Sequence, residues 1–129
     1  MASSLTTAGA QFLAKAWTGL NSPTLFSASN FYLGVGDSST AFAIGQTDLQ
    51  AVTNKSRKLV SSVSEASGVV TAVATWSTSE GNHDWNETGG FNASSGGTMA
   101  YRVVPSPSLG TKTSAQVWSL THTITFSAT

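Results

Sequence analysis

Val117-Trp118-Ser119-Leu120-Thr121-His122-Thr123-Ile124-Thr125-Phe126 sets Trp, Leu, His, Ile and Phe at even positions and Val, Ser and Thr at odd ones. Two-residue alternation of this kind marks a strand with one face in a core and the other hydroxylated. In register, four large apolar side chains are buried, at roughly 1.5 to 3 kcal/mol each. A slip of one residue would expose them all. The chain is therefore organised around a β-sheet.

Working back from that strand, Pro105 and Pro107 close a strand over 98–104, since neither can donate to a ladder. Asn92 to Gly97 is turn by composition, and Gly81-Asn82-His83-Asp84 punctuates the chain before a short strand around 85–91. A strand over 57–63, the turn Glu65-Ala66-Ser67-Gly68 and the β-branched run 69–77 make a hairpin. Phe31 to Gly36 is a further strand whose glycines permit close backbone approach. The loop 37–53 has room for one helical turn near Asp48.

One helix precedes these strands, over 7–20, where Ala8, Phe12, Leu13, Ala16, Trp17 and Leu20 fall on one stripe. Thr6 or Thr7 can cap its start and Gly19 its end, and it should dock on a sheet or a neighbouring subunit. Six strands joined by short turns, without crossover helices, predict an antiparallel β-sandwich or jelly-roll-like domain. One N-terminal helix docks on a β domain spanning 31–127, within a single domain over 1–129.

Composition narrows the function classes. Charged residues are 9% of the chain, against about 25% in an average domain, and Ser plus Thr make up roughly 30%. Net charge is zero, which removes the field that draws nucleic acid or an anionic membrane. Cysteine is absent, so neither disulfides nor thiolate metal sites hold the fold. No apolar run reaches the roughly 20 residues of a membrane span. Met1-Ala2-Ser3-Ser4 lacks the basic start of a signal peptide, so Sec-type export is not expected.

No constellation points to an enzyme. His83-Asp84 with Glu87 is the nearest thing to a metal cluster, yet ligands come in threes and fours, and a polar loop is the plainer reading. No Gly-x-Ser-x-Gly elbow, Walker sequence or complete dinucleotide loop occurs. No catalytic residue, cofactor or metal is expected. Lys55-Ser56-Arg57-Lys58 is either a solvated strand start or a donor to an acidic neighbour subunit. The sequons at Asn54, Asn86 and Asn92 are discounted as chance in a Ser/Thr-rich chain.

The interface candidates are Trp17, Trp85, Glu87, Arg102 and His122. Trp76 and Trp118 read as core, whereas Trp85, flanked by polar residues, reads as an interface anchor. Glu87 and Arg102 read as a strand-to-strand or intersubunit ion pair, or as a solvent-exposed pair worth under about 1 kcal/mol. His122, on the apolar face, reads as a buried neutral imidazole or as a pH-sensitive subunit contact.

Several segments carry a family resemblance. They are Leu5 to Leu13, Phe31-Tyr32-Leu33-Gly34-Val35-Gly36-Asp37, Trp85 to Ala93, Gly96-Gly97-Thr98-Met99-Ala100-Tyr101-Arg102, and Lys112-Thr113-Ser114 with the strand that follows. Together they resemble small bacteriophage virion proteins, seen as head decoration (cement) proteins and as tail-fibre or collar-associated proteins. Gly90 stands where that family more usually has an aliphatic residue, which predicts a bulged strand. The resemblance implies a structural role without cofactor on the capsid surface of the virion, after synthesis in the host cytoplasm. It implies a homo-oligomer, a trimer, bound to the major capsid protein or other virion proteins. The alternative is a tail-fibre or collar-associated adhesin that recognises a host-surface glycan through tryptophans and Asn82, Asn86 and Asn92.

Overall fold

A computed structural model of the chain describes residues 4–128. The signal-peptide reading of the first residues, and Thr129, lie outside the described residues.

Helix α1 spans Thr7–Thr18. Thr6 caps it by accepting from the Gly9 backbone N–H, and Gly19 closes it in the left-handed conformation, donating to the Lys15 carbonyl. The helix docks by its N-terminal turn: Gly9 lies against the backbone of Ala100, where any Cβ would collide. Its expected apolar stripe is only partly used. Ala8, Phe12 and Ala16 are half-buried, whereas Leu13, Leu20 and above all Trp17, at 92% exposure, face outward.

Among the described residues seven strands follow: β1 (Tyr32–Gly36), β2 (Lys55–Leu59), β3 (Ser62–Ala66), β4 (Val69–Trp76), β5 (Glu87–Phe91), β6 (Met99–Val103) and β7 (Trp118–Thr125). They form a four-stranded sheet ordered β2-β1-β5-β6 and a three-stranded sheet ordered β3-β4-β7, with every strand pairing antiparallel. The fold is a mainly β sandwich, as the turn-and-alternation pattern predicts. The expected 57–63 strand is in fact two strands, because the chain leaves one sheet after Leu59 and enters the other at Ser62. Buried Val60 is the pivot, held by its N–H on the Phe31 carbonyl. No helical turn forms near Asp48.

Between β3 and β4, Ser67 and Gly68 both take positive φ, the geometry of a two-residue hairpin turn. The β5–β6 register shifts between Gly90 and Phe91, which is the bulge expected at Gly90.

The core between the sheets contains Phe31, Leu33, Val35, Val60, Ala72, Ala74, Trp76 and Trp85, with Trp118, Leu120 and Ile124 packed against it. Across the β4–β7 ladder, small Ala72 and Ala74 stand opposite His122 and Leu120. They leave room for the larger side chains. The decisive strand alternates as expected, except that Phe126 lies past its end at 55% exposure. Its ladder neighbour is Gly68, which has no side chain to cover the ring.

The four-stranded sheet is buried on both faces. Behind it, Leu49, Phe91 and Met99 form a second small core, with Tyr32 against it. The lid of that core is the 37–53 segment, a strap lying over the sheet.

Candidate functional site

What ties the strap down is a buried carboxylate. Glu87, on the strap side of β5, accepts the backbone N–H of Gln50 and of Ala51, each at 2.8 Å, and Nε of Arg102 at 2.7 Å. Gly36 sits beside it on β1, where a Cβ would run into the carboxylate. Arg102, the β6 partner, gives Nη1 to Gln46 Oε1 at 3.2 Å, while Nη2 has no partner among the described residues. Both side chains of the pair are 0% exposed. The ion pair is thus strand-to-strand within one chain; the solvent-exposed reading is excluded, and neither group faces a neighbour.

A second knot flanks the first. Asp48, on the strap, accepts Lys55 Nζ at 2.7 Å and Arg57 Nη2 at 3.2 Å. Arg57 stacks its guanidinium 3.6 Å from the centre of the Phe91 ring and donates to the carbonyls of Ala93 and Gly96. One arginine so fastens strap, strand and turn together. Burial raises the Asp48 pKa, but hydrogen bonds from Lys55, Leu49 and Arg57 outweigh it and hold the carboxyl below its ordinary value. Lys58 pairs with Glu80 at 2.7 Å. That bond, with the Ser77 N–H, lowers Glu80 to about 2. The basic cluster is not a bare solvated start, since all three cations pair inside the chain. Between Asp48, Lys55 and Arg57 on one side and Ser94 to Gly96 on the other lies an open hollow of about 280 Å³.

Trp85, the expected interface anchor, is 1% exposed. It lies edge-on between Trp76 and Trp118, with centroids 5.0 Å away in each case, and donates Nε1 to the Gly81 carbonyl. Its polar sequence neighbours belong to the loop that buries it. Trp17 is the interface candidate left open to a partner.

His122 bridges the two sheets. From β7 it reaches Thr88 Oγ1 on β5 at 2.9 Å and the Tyr101 hydroxyl on β6 at 2.6 Å. Desolvation lowers its pKa to about 4 and drives that of Tyr101 up. The imidazole is thus a neutral polar rivet inside the sandwich, not a contact on its outer surface.

His83, Asp84 and Glu87 do not converge. Asp84 accepts from the Thr111 hydroxyl, the His83 Nδ1 lies 2.8 Å from the Asp84 carbonyl, and Glu87 turns to Arg102. Among the described residues no group of three His, Asp or Glu side chains is placed to hold a metal, and no helix is long and apolar enough to cross a membrane. The asparagines offered for sugar recognition are engaged internally, Asn82 with Thr78 and Lys112, Asn86 with Asp37, Asn92 with Thr24 and Thr98.

Besides Trp17, what remains for a partner is the outer face of the three-stranded sheet. It presents Ser62 and Ser64 from β3, Val69, Thr71, Val73 and Thr75 from β4, and Ser119, Thr121, Thr123 and Thr125 from β7, with no charged residue. The sequence had marked only its β7 row. The Asp48 knot and the Lys112 ammonium, buried against the Ser77 carbonyl and Asn82 Oδ1, had no periodic signature to find them by.

Comparison with protein-family models, with curated proteins and with solved structures finds no match for this chain.

Proposed function

We propose that this chain is a structural subunit of a larger assembly, and specifically a decoration protein that binds and stabilises the outside of a phage head. The observation that carries the assembly reading is the uncharged, hydroxyl-bearing outer face of the three-stranded sheet. The acidic residues that could have lent it a field are bonded elsewhere: Asp48, Glu80 and Glu87 to cations, Glu65 to the Gly68 N–H. Short Ser and Thr side chains lose little rotamer entropy when covered, so many weak contacts add up. The capsid as the partner rests on the sequence resemblance.

The test is co-sedimentation with undecorated capsid shells. Wild-type protein is expected to pellet with them, and Thr71→Lys, which plants a charge in the middle of the face, to stay in the supernatant while folding normally. Failure of the wild type to bind any shell would sink the proposal. Of the contacts nominated for the adhesin alternative, Trp85 is buried and Asn82, Asn86 and Asn92 are bonded internally, which leaves Trp17 exposed. Binding on a glycan array without binding to capsids would restore it.

A further inference from the structure

We propose that the free edge of β7 is a self-association site, pairing antiparallel with β7 of a second copy of this chain. Two antiparallel sheets have four edges, and a strand edge presents unpaired N–H and C=O groups that proteins ordinarily protect. Three of the edges here are protected. At β6, residues 4–6 run alongside: Leu5 bridges Tyr101, Thr6 N–H donates to the Ala100 carbonyl and Arg102 N–H to the Ser4 carbonyl, each at 3.0 Å. β2 carries Lys55, Arg57 and Lys58, and β3 is only five residues long and carries Glu65.

β7 has none of these devices. It is eight residues long, without charge or proline, and no register shift interrupts its pairing with β4. Its outward backbone groups can be assigned. Phe126 N–H donates to Gly68, and the Val73 carbonyl faces β3 by accepting from Ser61. In an alternating antiparallel ladder, even-numbered β7 residues therefore bond β4, while Ser119, Thr121, Thr123 and Thr125 aim their N–H and C=O groups away from it. Among the described residues none of these groups has a backbone partner outside the sheet.

A second β7 fits that edge in one register especially well. With His122 opposite His122 on a two-fold axis, Leu120 meets Ile124 and Trp118 meets Phe126 on the core side. Ser119 then meets Thr125, and Thr121 meets Thr123, on the outer side, where hydroxyl pairs across strands are favourable. Every apolar residue finds an apolar one. The Phe126 ring, which Gly68 leaves 55% exposed in the single chain, gains a cover. The strand is thus complementary to itself, which an isologous contact requires. This inference stands apart from the capsid proposal, and its two-fold symmetry takes the place of the three-fold one implied by the resemblance.

Sedimentation velocity on the full chain tests it. Wild-type protein is expected to run as a dimer. Thr123→Pro removes one outward N–H per copy at a site where an edge strand tolerates proline; dissociation should strengthen by at least roughly tenfold, with an unchanged circular dichroism spectrum. Because the chain has no cysteine, mixing Thr121→Cys with Thr123→Cys protein should give an oxidative cross-link between the two, ahead of either alone. A wild-type monomer, a wild-type trimer, or a folded Thr123→Pro dimer that dissociates no more readily than the wild type would overturn the proposal. Should Thr123→Pro not fold, absence of the mixed cross-link overturns it equally.

Discussion

The two sheets of this sandwich treat their outer faces in opposite ways. The four-stranded sheet hides its outer face under the 37–53 strap, and fixes that cover with a wholly buried ion pair and the Asp48 knot. The three-stranded sheet leaves its outer face bare and uncharged. A chain with so few charges has placed them where they hold its own parts together, which leaves the second sheet free for another molecule. Stability should therefore reside in the first face, and association in the second.

The severest challenge to that division is Glu87→Ala. It strands the Arg102 guanidinium in the interior and orphans the Gln50 and Ala51 N–H groups together. Removing one partner of a buried pair costs about 3–5 kcal/mol, a large part of the roughly 5–15 that holds a domain folded. Urea unfolding measures it. Hydrogen exchange should locate it, with the Gln50 and Ala51 amides released first and those of β4 still protected. A loss below about 1 kcal/mol would show that the strap is held by something other than this carboxylate.

Between the two faces runs His122, and acid tests it. Its folded pKa of about 4 lies below the unfolded value of 6.5, so below pH 6.5 the unfolded chain takes up a proton that the folded chain refuses. The stability this residue supplies is whole above pH 6.5 and is lost progressively as the pH falls to 4. At about 1.4 kcal/mol per pKa unit the loss approaches about 3 kcal/mol. Urea midpoints at pH 7 and pH 4.5 should differ accordingly, and His122→Gln should flatten the difference. An imidazole that titrates near 6.5 by NMR would mean the rivet is exposed to water.

Asp48→Asn ranks below both. Its carboxylate is 43% exposed, so water screens both ion pairs, and the loss should be about 1 kcal/mol. The folded pKa is depressed, so this contribution is present above the ordinary carboxylate value and fades as pH falls below it. Thermal melts at pH 7 and at pH 3 should show the variant and the wild type converging in acid.

Periodicity made the sandwich legible. Alternation in β7 and the Ser67-Gly68 turn are local patterns, and both formed where the residues indicated. The crossing at Val60 is marked only by a break in alternation, Leu59-Val60 followed by Ser61-Ser62, with no glycine or proline to show that the chain changes sheet there. The strap carries no such pattern, since main-chain donors on a distant carboxylate have no sequence period. Trp85 is buried despite its polar neighbours in sequence, which say where the chain turns, not what the side chain lies against. The Glu87–Arg102 pairing was visible because charge is scarce here, but its burial depended on Gly36 and the strap, far away in the chain.

The smallest stability effect is the most informative about the second face. Thr71 lies at the middle of β4, on the outer side, and neither gives nor receives a side-chain hydrogen bond among the described residues. Thr71→Val keeps the β-branched shape and exchanges a hydroxyl for a methyl, so unfolding free energy should move by no more than about 0.5 kcal/mol. A residue the fold does not need can still be one a partner needs. If the hydroxyls of this face bond to another protein, the same substitution weakens binding by the value of a hydrogen bond left unmade across the interface, about 1 kcal/mol or somewhat more. Stability unchanged and association reduced would separate the two faces as argued. A large loss of stability at Thr71 would instead mean that this face supports the fold, and the contrast between the two sheets would fail.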